Sequence, residues 1–173
     1  MSFQRILVAL DRSPLAEEVF EQALKLARRD GSSLILAHCL SLKSWQDKGS
    51  RSNAGIGLQR KTNLQRFQQE HLQQVRQVQK WLEAYCKKST DQGVFTQFNC
   101  EVGDTGPWIC QFAQNWYADL IVIGQGGDSG LKKLLFGSVS NYVIEQAPCK
   151  VMVVQAVEKR NLELQYAYDY CYF

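Results

Sequence analysis

The sequence has no run of like charge and no basic stripe. Its 20 Lys and Arg stand against 17 Asp and Glu, a net charge of +3. That balance leaves no electrostatic footprint for nucleic acid. Long apolar runs are also missing. No stretch approaches the ~20 residues that span a bilayer, and the apolar run in MSFQRILVALDRS is short and meets Asp11 and Arg12 at once, so it reads as a strand rather than a signal peptide. A soluble cytoplasmic protein without a membrane partner is the expectation. Cysteines are present at 39, 86, 100, 110, 149 and 171, but none forms a CxxC pair and zinc spacing is absent. They are expected as reduced, mostly buried thiols, with a redox-sensing Cys171 as the alternative. The GxxxxGK[ST] phosphate loop does not occur. A dinucleotide fingerprint begins at Gly124-Gln125-Gly126 but has Ser129 where its third glycine belongs.

What is present is a chain of 173 residues, 45% hydrophobic and 21% charged, enough for one domain with a core. Strand and helix patterns alternate along it. Residues 3–10 form an aliphatic run. Ser13 and Pro14 then suit a helix start, with Glu17 and Glu18 in its first turn, Arg28 and Arg29 in its last and Gly31 as its stop. Residues 33–39 are apolar throughout, the mark of a strand covered on both faces and hence of a parallel sheet. A polar segment, 41–60, reads as a flexible loop. A helix over 62–88 follows, with Leu64, Phe67, Leu72, Val75, Val78, Trp81, Leu82 and Tyr85 as its apolar stripe. Strands at 94–102, 119–123 and 151–154 alternate with helices at 107–116 and 138–146, the last ending before Pro148. Units of this kind build an open, doubly wound, five-stranded parallel α/β sheet with helices on both faces, here expected in the order 3-2-1-4-5. Residues 1–157 are read as this domain and 158–173 as an aromatic extension. In that tail Tyr166, Tyr168, Tyr170 and Tyr172 alternate, as in an added strand or a docking segment, or in a tail lying on its own domain.

Ligands of such sheets bind at the carboxyl ends of the strands, where strand order reverses. Asp11 closes the first strand and Gly124 the fourth. From Gly124 the chain runs GQGGDSGLKKLLFGSVSN. Gly124 and Gly127 can admit backbone close to a ligand and take positive φ. Gly137 and Ser138 open a helix whose free N–H groups at 137–140 form an anion site, with Ser138 and Ser140 adding hydroxyls. Lys132 and Lys133 either neutralise phosphate charge or lie in solvent. His38, ending an apolar strand, is expected as a satisfied core histidine.

The spacing of Gly124, Gly127, Gly137 and Ser138, with LVALDRS, ILAHC, ADLIVIG and APCKVMVV around it, resembles the ATP-binding members of the universal stress protein family over about residues 3–155. The resemblance implies ATP, with AMP or a cyclic nucleotide as the alternative. It places Ala9, Leu10 and Asp11 by the adenine and ribose and the Cys39 backbone against adenine. Ile123, Gly124, Gly127, Gly137, Ser138, Val139 and Ser140 are the remaining ligand contacts. Asp11 is also the expected Mg²⁺ ligand. A homodimer through 151–154 and a stress or signalling switch follow from the same resemblance. The alternatives are a slow ATPase or phosphotransferase, and a nucleotide-free partner module.

Overall fold

The computed structural model describes residues 2–41, 59–125 and 137–155, with backbone alone for 59–68, 70 and 71. In chain order the elements are β1 (Arg5–Ala9), α1 (Ala16–Asp30), β2 (Ser33–Ser41), α2 (Gln59–Thr90), β3 (Thr96–Gly103), α3 (Thr105–Asn115), β4 (Leu120–Gly124), α4 (Ser138–Gln146) and β5 (Lys150–Val154). The five strands form one sheet in the order β3-β2-β1-β4-β5, and every pairing is parallel. This is the expected doubly wound sheet.

Alternation along the strands explains why both faces need helices. Ile6, Val8 and Leu10 of the first strand segment enter one core with Leu34, Leu36 and Val122. That core also holds Val19, Phe20, Ala23 and Leu24 of α1 and Val78, Leu82 and Tyr85 of α2. Leu7 and Ala9 point the other way, to Ile35, Ala37, Ile121 and Ile123, under Ile109 and Ala113 of α3 and Val143 of α4. The central strands thus carry apolar side chains at successive positions because neither face meets water.

Two expected boundaries shift for physical reasons. Ser13 and Pro14 precede α1 instead of opening it: Ala16 N–H donates to the Ser13 carbonyl at 3.1 Å in a turn, and the N-cap position is Leu15. Gly31 does stop the helix, at φ 69° in the left-handed region. The apolar stripe expected along α2 holds from Val78 onward, but Leu72 is 53% exposed. A helix of 32 residues is about 48 Å long, whereas nine-residue β2 spans about 30 Å, so the sheet cannot cover α2 along its full length. Leu64 and Phe67 lie among residues whose side chains are not described.

The amino-terminal edge of the sheet is closed by side chains. Asp119 accepts from the N–H groups of Gln4 (2.7 Å) and Arg5 (3.3 Å). Asp30 accepts from Phe3 N–H at 3.0 Å, and the Ser32 hydroxyl donates to the Phe3 carbonyl at 2.7 Å.

Candidate functional site

The carboxyl edge is stepped. β2 and β3 stay paired through Ser41 and Gly103, but β1 leaves its partners after Ala9, which lies between Ala37 and Ile123. The overhang of β2 and β3 leaves a notch above β1, at the point where strand order reverses. Leu10 keeps one further backbone bond, its N–H donating to the Ala37 carbonyl at 2.9 Å. Its own carbonyl is 2.8 Å from Nδ1 of His38. Next in the chain, Asp11 is exposed, and its Oδ1 accepts from Ser13 N–H (3.0 Å) and from the Ser13 hydroxyl (2.5 Å). This is the turn-forming use of an aspartate.

On the other side of the notch, Gln125 N–H donates to the Val154 carbonyl at 2.8 Å, and the Gln125 carbonyl accepts from Gly137 N–H at 3.1 Å. Gln125 therefore anchors both ends of the connection that leaves β4 and returns at α4. The first bond of α4 runs from Asn141 N–H to the Gly137 carbonyl, so the N–H groups of Ser138, Val139 and Ser140 have no acceptor within the helix. Among the described residues no side chain caps them. They form the positive end of the helix dipole, the usual setting for an anion.

Of the residues expected at the ligand, Ala9, Leu10, Asp11, Cys39, Ile123, Gly124, Gly137, Ser138, Val139 and Ser140 all lie along this edge; Gly127, with Lys132 and Lys133, lies outside the described residues. Their accessibility divides them. Asp11 and Ser138 are exposed, and Cys39, Gly124, Gly137 and Val139 are half-buried. Ala9, Leu10, Ile123 and Ser140 are buried, and Ser140 turns its hydroxyl onto the Gly137 carbonyl at 3.0 Å.

Gly124 does not use the conformational freedom expected of it. Among the described glycines only Gly31 and Gly93 have positive φ. At Gly124 an added Cβ would sit 3.2 Å from Leu15 Cδ2 and 3.3 Å from Val19 Cγ2, so the glycine lets β4 lie close against the start of α1. Gly137, at φ −62° and ψ 161°, is in a conformation open to any residue.

Electrostatics at the edge follows from burial. Desolvation holds the His38 imidazole below its ordinary pKa, against the Leu10 carbonyl, which raises it. The Cys39 thiol is pushed up, again chiefly by burial. The five described cysteines are free and half-buried, while Cys171 lies outside the described residues. Among the described residues no group of three or more His, Cys, Asp or Glu could hold a metal ion. Asp11, the expected Mg²⁺ ligand, stands at the end of β1 with its Oδ1 held by Ser13.

Sequence reading missed three features here. Gln125 is an anchor at both ends. Arg12 lies 5.8 Å over the Trp81 ring at the rim. Gly106 admits Tyr142, whose ring would come within 2.9 Å of an added Cβ, so α3 and α4 meet closely. Only Gln125 had a signal, its place directly after a strand; the other two are contacts between distant segments.

Comparison with known proteins agrees with this architecture. Residues 2–155 match the model of the universal stress protein family. The chain is 38% identical over 160 residues to universal stress protein Sll1388 of Synechocystis, covering 90% of this chain and 99% of that one. In fold it is similar to the hypothetical protein MJ0577, with a TM-score of 0.74 at 21% identity over 92% of this chain and 100% of that one. It is also similar to the universal stress protein of Archaeoglobus fulgidus in complex with dAMP (TM-score 0.57, 23% identity, covering 88% and 98%). A third similar fold is the Arabidopsis thaliana family protein At3g01520 with AMP bound (TM-score 0.54, 20% identity, covering 91% and 94%). With the match spanning the entire sheet and all its helices, the chain belongs to the universal stress protein family.

Proposed function

We propose that this protein binds an adenine nucleotide, ATP by expectation, in the notch above β1, and that occupancy acts as a switch in a stress or signalling response. The observation that carries the reading is the open first turn of α4. Its three N–H groups lack acceptors in the helix, lie at the strand-order reversal, and follow the Gly124, Gly127, Gly137, Ser138 spacing. These residues fit a polyphosphate. The overhanging end of β2 at Cys39 and the last residues of β1 then flank the base and ribose. Structural neighbours were solved with dAMP and with AMP, so a nucleoside monophosphate is the natural competitor to ATP. A cyclic nucleotide is the further alternative.

The protein's contribution in this reading is binding. The helix end neutralises phosphate charge, and the Ala9 and Gly124 strand ends set the floor. Of residues expected to position an attacking water or a metal, the described part offers only Asp11, held by Ser13. The reading is a switch, with a slow ATPase or phosphotransferase as its alternative. A homodimer through β5 belongs to the same proposal. Val151, Met152 and Val153 of this edge strand are only half-buried, and a second copy would cover them.

The test is to denature the purified protein and identify released nucleotide by chromatography and mass spectrometry. ATP near one equivalent supports the proposal. ADP or AMP in its place favours turnover or a monophosphate ligand. No released nucleotide, together with no heat on titrating ATP, AMP or a cyclic nucleotide, overturns it.

A further inference from the structure

We infer that His38 is a positioning residue for the nucleotide site: it supplies, from its side chain, the hydrogen bond that holds the end of β1 at the floor of the notch. The inference rests on the nucleotide reading above for its functional half. Its geometric half stands alone.

The backbone ladder between β1 and β2 ends at Ala9 and Ala37. One more residue, Leu10, is held on both its polar groups from β2. Its N–H goes to the Ala37 carbonyl at 2.9 Å, and its carbonyl goes to His38 Nδ1 at 2.8 Å. A carbonyl can only accept, so Nδ1 carries the proton, and this fixes the neutral tautomer. His38 is 7% exposed, and its ring stands edge-on to Trp81, with centroids 5.5 Å apart at 80°. It is therefore aimed by packing as well as by the bond. With Leu10 fixed at both ends, the chain has one way to leave the sheet, through the Asp11–Ser13 turn into α1. A buried carbonyl deprived of its donor would seek another, and the Asp11 turn would move with it.

Two variants separate the roles. His38→Leu removes the donor, and His38→Asn returns an N–H close to the position of Nδ1. Leu24→Ala, in α1 well away from the notch, is the control for lost stability without lost positioning. Two measurements are made: amide hydrogen exchange over residues 10–13 relative to the rest of the apo protein, and ATP affinity by calorimetry well below the unfolding temperature.

Expected for His38→Leu is local exchange about tenfold faster and ATP affinity about tenfold weaker, both largely restored in His38→Asn. Leu24→Ala should change neither at that temperature. Unchanged local exchange in His38→Leu overturns the inference altogether. Faster exchange with unaltered affinity leaves His38 a structural brace and overturns its positioning role. If the unaltered protein binds no ATP, AMP or cyclic nucleotide, the nucleotide reading has failed and the positioning role goes with it, while the exchange result still decides the brace.

Discussion

The two edges of the sheet are built on different principles. At the amino edge the strands are tied by carboxylates and a hydroxyl: Asp119 takes two backbone N–H groups, Asp30 a third, and Ser32 supplies a carbonyl's donor. At the carboxyl edge the strands end unevenly. The bonds there hold turns, from Ser13 to Asp11, from His38 to Leu10 and from Gly137 to Gln125, and among the described residues the first N–H groups of α4 have no acceptor. The first edge spends its polar groups on stability. The second ends on helix N–H groups that have no acceptor within α4, which is the condition for binding an anion.

This contrast can be broken most forcefully at Gly137. Its extended backbone accepts valine without strain, so Gly137→Val should keep the fold while crowding the ligand's approach to the α4 amides. We expect ATP affinity to fall about 100-fold, roughly 2.7 kcal/mol, with an unfolding midpoint in urea close to the parent's. An undiminished affinity would remove α4 from the site.

At the sealed edge the opposite pattern is expected. Asp119→Ala leaves the N–H groups of Gln4 and Arg5 without their acceptor. It should cost about 1–3 kcal/mol in urea unfolding and leave nucleotide affinity alone. A loss of binding without a loss of stability would reverse the assignment of the two edges.

Gly124→Ala tests the point where packing and site meet. The new methyl meets Leu15 and Val19 at 3.2 and 3.3 Å. A cost near 1 kcal/mol is expected as α1 shifts, accompanied by a modest weakening of ATP binding. Thermal unfolding and calorimetry read the two effects separately.

Acid titration should distinguish the edges with the smallest signal. Burial keeps His38 below its ordinary value, so the folded state resists its proton. Stability is complete above about pH 6.5 and declines as pH falls below that. Asp30, held down to about 2 chiefly by Arg29 and then by the Phe3 N–H, contributes above its ordinary value, and its contribution disappears as pH falls from 3.8 towards 2. Stability measured against pH should show both declines. His38→Asn should remove the upper one and Asp30→Asn reduce the lower, which Glu17, held down by Lys88, also feeds.

How much of this was legible beforehand depended on whether a residue acts through its neighbours in sequence. The helix stop at Gly31 and the start of α4 at Ser138 were readable because each is set by local backbone chemistry. Ser13 misled for a local reason too: its hydroxyl donates to Asp11, and the helix begins only at Ala16. Leu72 misled because periodicity records an apolar stripe and not where the sheet beneath it ends.

The sequence by itself determined the parallel sheet, through strands apolar at successive positions, and the start of the helix after Gly137, through a glycine and a serine placed before an apolar helical pattern. Only the tertiary structure decided that Gly124 is small for the sake of Leu15, that Ser140 faces inward, and that His38 holds the end of β1. The first and the last depend on segments far apart in the chain, and spacing along one segment carries no information about which distant atom packing will bring against it.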